Sequence, residues 1–83
     1  MAIRFHPHAS DRMKERGATE EEVKAAVEHG EQFPAKFGRV GFRRNFLFES
    51  VWREKHYRTK QIEVYAVREG TDWMAVTIIT RYF

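Results

Sequence analysis

The sequence contains no cysteine and only two prolines among 83 residues. Without cysteine there is no disulfide framework, no thiolate nucleophile and no cysteine-type zinc site. No apolar run approaches the ~20 residues that a membrane span needs. The opening stretch, residues 1–10, has no continuous apolar segment of the kind a secretory signal carries. Glycine occurs only five times, and Gly38-Arg39-Val40-Gly41 lacks the lysine and glycine density of a nucleotide-binding loop and reads as a turn. These absences leave a single domain over residues 1–83, free of membrane and expected in the cytoplasm.

What is present is aromatic and basic. Seven Phe, three Tyr and two Trp argue for a packed chain rather than a disordered one. The net charge is only +3, but it is segregated. Residues 11–31 carry seven acids against four bases, whereas residues 36–60 carry eight bases against Glu49 and Glu54. A positive surface of this kind suits a phosphate-rich partner, and equally a solvated edge that discourages sheet aggregation.

Helical spacing dominates the first third. Pro7 fits a first helical position, Ala9 and Met13 recur four apart, and Gly17 fits a left-handed helix end. Thr19 with Glu22 forms a capping box ahead of Val23, Ala26 and Val27, and Gly30 closes that helix. After Pro34 the period falls to two. Strands are expected over residues 42–49, 58–68 and 73–82, the last apolar on nearly both sides and so a central strand. Residues 50–56 read as a polar loop carrying Trp52, and residues 69–72 as a tight turn. Ile3–Phe5 and residues 33–40 are candidates for short edge strands. The expected architecture is α+β, with two N-terminal helices packed on a three- to four-stranded antiparallel sheet.

His8, Arg12 and Arg16 lie four apart and line one stripe of the first helix. A histidine with two arginines can pair a titratable proton carrier with two phosphate-binding forks, although the same spacing also fits an exposed face whose charges pair locally. With an even-length turn at 69–72, Lys60 shares a sheet face with Arg81, and Gln61 shares the other with Thr80 and Tyr82. Arg43, Arg44, Tyr57 and Arg58 mix bases with an aromatic in the manner of ribonucleotide binders. Trp52 fits either a lid over the core or a base-stacking platform. His6-Pro7-His8 is too sparse a set to hold zinc, so no metal or other cofactor is expected.

The string His8-Ala9-x-x-Arg12-Met13-x-Glu15-Arg16-Gly17, followed by Thr19-x-Glu21-Glu22-Val23 and Gly30, resembles a family of small bacterial proteins catalogued as a domain of unknown function. Trp52, Tyr57, Lys60-Gln61 and Asp72-Trp73 with Val76-Thr77 extend the likeness over most of the chain. That family looks like part of the group uniting RelE/ParE-type toxins with barnase- and colicin-like ribonucleases. The resemblance implies a RelE-like fold and metal-independent RNA cleavage, possible also as the toxin of a toxin–antitoxin pair with an antitoxin protein as partner. It would make His8 the acid/base group, Arg12, Arg16 and Lys60 the cations, and Thr80 or Thr77 the hydroxyl near the end of the last strand. The same fold without catalysis would be an RNA- or protein-binding module.

Overall fold

The computed structural model describes residues 2–83. Its elements run β1 (Ile3–Phe5), α1 (Pro7–Arg16), α2 (Glu20–His29), β2 (Glu31–Pro34), β3 (Val40–Trp52), β4 (Lys55–Glu69) and β5 (Asp72–Tyr82). The five strands form one mixed sheet in the order β1-β5-β4-β3-β2.

This corrects the expected architecture, although the chain remains α+β. The sheet has five strands rather than three or four, and it is not wholly antiparallel, because β1 runs parallel to β5. Nor are the helices the N-terminal elements, since β1 precedes them. Ile3–Phe5 is the edge strand the sequence offered as a candidate, but three residues are too few to show a period or to announce a parallel partner. It is held from outside its own sequence: the amide of Trp73 donates to the Ala2 carbonyl, and that of His6 donates to the Ala75 carbonyl.

Both helices have the bounds that their caps dictate. The His6 ring accepts the His8 amide at the start of α1, and Gly17, at φ +73°, ends it. The Thr19 hydroxyl accepts the Glu22 amide while the Glu22 carboxylate accepts the Thr19 amide, so the capping box is complete. Ala9 and Met13 of α1 and Val23, Ala26 and Val27 of α2 meet Phe42, Ile62, Val64, Ala75 and Ile78 in one core. Burying each of the larger aliphatic side chains contributes about 1.5–3 kcal/mol. Both helices thus cover a single face of the sheet, and among the described residues no element covers the other.

Two features of the strands depart from the sequence reading. The expected polar loop over residues 50–56 is instead a hairpin end: Trp52 pairs with Lys55, and Arg53 and Glu54 turn the chain with φ of +50° and +72°. Neither residue type announces such a turn, which favours Asn and Gly. The second departure lies between β4 and β5. Their turn is even, with Glu69 opposite Asp72, but the register shifts between Ala66↔Ala75 and Tyr65↔Thr77, leaving Val76 as an extra residue. This bulge reverses the parity of the rest of β5. Lys60 therefore pairs with Tyr82, and Gln61 with Arg81. The expected pairing of Lys60 with Arg81 on one face is not made.

Candidate functional site

The helix-facing side of the sheet carries an aromatic wall at its far end. The Trp52 ring stacks on Tyr82 with centroids 5.0 Å apart and planes 15° from parallel. Phe48 meets Tyr82 edge-on at 5.1 Å, and Tyr57 lies 5.6 Å from it. The bend of the β3–β4 hairpin brings Trp52 and Arg53 back over the end of α1. The Tyr82 hydroxyl donates to the Arg16 carbonyl at 2.8 Å, and Arg53 donates to the Glu15 carbonyl at 3.2 Å. Burial, and then the Glu22 carboxylate, push the Tyr82 phenol above its ordinary value, with Arg53 opposing them.

Between this wall and α1 lies an open cleft of about 470 Å³, lined by Glu15, Arg16, Trp52, Arg53, Thr80 and Tyr82 among others. Arg16 is fixed there by a bond from Nη1 to the Ile78 carbonyl at 2.5 Å. The Thr80 hydroxyl is buried and has no hydrogen-bond partner. The Trp52–Tyr82 stack, with Arg53 5.3 Å over the Trp52 ring, the Arg16 side chain and the unpartnered Thr80 hydroxyl border one space, and Glu15 stands at its rim with its carboxylate on Arg12. Together they can stack a planar ring, hold an anion and, at Glu15, accept a proton.

Of the residues singled out from the sequence, Arg16, Trp52 and Thr80 line this cleft, and Tyr57 supports its aromatic wall. Arg12 pairs with Glu15 at 3.2 Å on the exposed side of α1. Lys60 is elsewhere in character: only 5% exposed, it donates to the Gly17 carbonyl and to Glu22 at 2.8 Å, a brace between the helices and the sheet. His8 is exposed at the opposite end of α1, its ring stacked on His6 at 5.1 Å. Arg16 is eight positions farther along the helix, a rise of about 12 Å. The structure therefore does not bring His8 together with Lys60 and Thr80. Glu15, Arg53 and Tyr82 complete the cleft without having been singled out as site residues; Glu15 stands inside the helical motif, whereas the even-turn parity put Tyr82 on the Gln61 face, and the bulge in β5 turns it to the Lys60 face.

Thr77 and Thr80 are on opposite faces of β5, since Thr77 pairs with Tyr65 and Thr80 with Ile62. Arg43 and Arg44 likewise diverge. Arg44 lies over the Phe46 ring at 5.5 Å, whereas Arg43 joins a polar cluster on the uncovered face. There Glu63, 5% exposed, accepts Arg81 at 2.5 Å and the Tyr65 hydroxyl, with Arg43 at 3.4 Å. Burial pushes the Glu63 carboxyl up, but these donors and charges outweigh it and hold it below the ordinary carboxylate value. Arg58 is exposed on the hairpin, 3.4 Å from Glu49. Among the described residues no group of three or more His, Asp or Glu is arranged to hold a metal ion. Among the described residues no helix is long and apolar enough to cross a membrane.

The chain matches no protein-family profile, no curated protein and no solved structure.

Proposed function

We propose that the protein binds single-stranded RNA in the Trp52–Tyr82 cleft and cleaves it as a metal-independent endoribonuclease. The observation that carries this reading is the stacked aromatic wall set beside two guanidiniums, Arg16 and Arg53, in one cleft. A base stacked on such a wall gains about 1–3 kcal/mol, and planar guanidiniums suit its phosphates. The unpartnered Thr80 hydroxyl suits a sugar hydroxyl.

In this reading the Glu15 carboxylate takes the proton of a 2′-hydroxyl, and the freed oxygen attacks the adjacent phosphorus. The bond from phosphorus to the 5′-oxygen breaks, and that oxygen takes a proton from solvent. The products are a 2′,3′-cyclic phosphate and a 5′-hydroxyl. Arg16 and Arg53 stabilise the charge that builds on the phosphoryl oxygens. The likeness of the helical motif to the toxin and ribonuclease group supports the same chemistry. It also brings with it a cytoplasmic location and an acidic or amphipathic antitoxin that covers the basic hairpin.

A second reading, RNA binding without cleavage, is favoured by the position of His8, exposed and a full helix length from the cleft. The two are separated by incubating end-labelled RNA with purified protein in the presence of a metal chelator. Cleavage to cyclic-phosphate ends is expected, falling about 100-fold or more in Glu15→Gln and unchanged within about twofold in His8→Ala. Cleavage lost in His8→Ala but kept in Glu15→Gln would return the proton transfer to the histidine. Binding without cleavage selects the second reading, and no binding removes both.

A further inference from the structure

We infer that the turn joining β2 to β3 carries a second base-stacking subsite for single-stranded RNA, with Phe37 as its platform. The inference rests on the RNA reading above and extends it to the uncovered face and opposite end of the sheet.

Phe37 is the most exposed large apolar side chain described, at 86%. It also sits in an unfavourable backbone. The Arg39 amide bonds to the Lys36 carbonyl, so Phe37 and Gly38 are the two central residues of a tight turn, and both have positive φ, +62° and +69°. Asn, Asp or Gly is the favoured first residue of such a turn, and phenylalanine there is strained. The ring belongs neither to the core nor to the side chains packed against it. A residue that is costly to the backbone and unused by the core has its explanation in what its side chain meets from outside.

The surroundings state what that is. Beside Phe37 lies an apolar pocket of about 380 Å³ with Phe33, Pro34 and Tyr65 in its walls. Phe33 and Tyr65 meet edge-on at 6.1 Å. The charged side chains lining this pocket are Lys36 and Arg39, with no acid among them. Arg39 lies 5.9 Å from the Phe37 ring, and Arg43 lies 4.5 Å over Phe33. Aromatic rings interleaved with cations fit the face of a base and its phosphates, whereas an apolar protein surface would leave those cations desolvated. Arg43 and Arg81 stand on the same uncovered face as this pocket, where both contact the Glu63 carboxylate.

The test compares a dinucleotide with an oligoribonucleotide of about ten residues, within the ~4–16-nucleotide footprint of single-strand binders. Wild type, Phe37→Asn, Lys36→Ala with Arg39→Ala, Arg53→Ala and, as an exposed apolar control, Leu47→Asn are each titrated and melted. Phe37→Asn is expected to melt higher than wild type, because asparagine relieves the turn. It should nevertheless bind the longer oligonucleotide about tenfold or more weakly and the dinucleotide unchanged, and the Lys36/Arg39 variant should follow it in affinity. Leu47→Asn should match wild type. A lower melting temperature with unchanged affinity would make Phe37 a packing residue and overturn the inference. So would unchanged affinity at higher stability, or self-association of the wild type that Phe37→Asn alone abolishes. In each of those cases a loss of both ligands in Arg53→Ala leaves the cleft reading intact. If the wild type binds neither RNA, both readings fall.

Discussion

The Lys60 ammonium lies 2.8 Å from Glu22 Oε1, the same oxygen that accepts the Thr19 amide at 2.9 Å. One carboxylate therefore caps α2 and anchors it to the middle of β4. The second Lys60 contact, to the Gly17 carbonyl, ties in the end of α1. Both helices are pinned to the sheet through one cation.

Lys60→Ala should accordingly cost about 3 kcal/mol in urea unfolding, the scale for breaking a buried pair. Lys60→Met, which keeps most of the buried apolar stem, should cost clearly less. Equal losses in the two variants would show that the ion pair alone, and not the stem, holds the helices, and no loss in Lys60→Met would show the reverse.

Gly17→Ala should be among the most damaging single-methyl additions. A Cβ there would lie 2.7 Å from Trp52 Cζ3 and 2.8 Å from the Tyr82 hydroxyl oxygen, at a φ of +73°. Backbone strain and overpacking together should cost about 3 kcal/mol. Because the Trp52–Tyr82 stack must shift, tryptophan fluorescence should change in the folded state as well. A stable variant with unaltered emission would show that α1 ends farther from the hairpin.

Acid should weaken the fold through Glu63. Its carboxyl is held below the ordinary value of 4.5, so the stability it contributes is present above that value and is lost as pH falls through the folded-state value. Denaturation midpoints of wild type and Glu63→Gln, followed from about pH 6 to about pH 3, should converge on the acid side. On the alkaline side the sign reverses. The Tyr65 phenol is raised above 10.0, first by its bond to Glu63 and then by burial, so its contribution is lost as pH rises beyond that value. A constant gap between wild type and Glu63→Gln across the acid range would sever Glu63 from acid stability.

The helices were legible because their signals are local: Thr19 and Glu22 specify one end of α2, and Gly17 the end of α1. The sheet was less so, because its deciding features are not. Ile3-Arg4-Phe5 becomes a strand only by bonding to residues some seventy positions away. The extra residue at Val76 leaves no mark on the hydrophobic pattern of β5, which is apolar on both sides there, yet it decides that Arg81 meets Glu63 and Tyr82 meets Lys60. The cleft was half visible. Arg16 and Thr80 follow from motif and resemblance, but Glu15 and Arg53 are gathered by a hairpin bend that the sequence presents as a polar loop. Lys60 occupies an apolar beat of the alternation Lys60, Ile62, Val64, Ala66, a signal of burial that its reading as a site cation passed over.

The parallel pairing of β1 with β5 also has a kinetic side. The β3–β4–β5 meander can form through short hairpin turns, whereas β1 must wait until β5 exists and then close a loop of nearly the whole described chain. Docking of β1 therefore belongs to the late side of the folding barrier. Weakening it, at Phe5 for instance, should leave the refolding rate almost untouched and instead hasten unfolding, so the native lifetime is governed at the seam where the first strand meets the last.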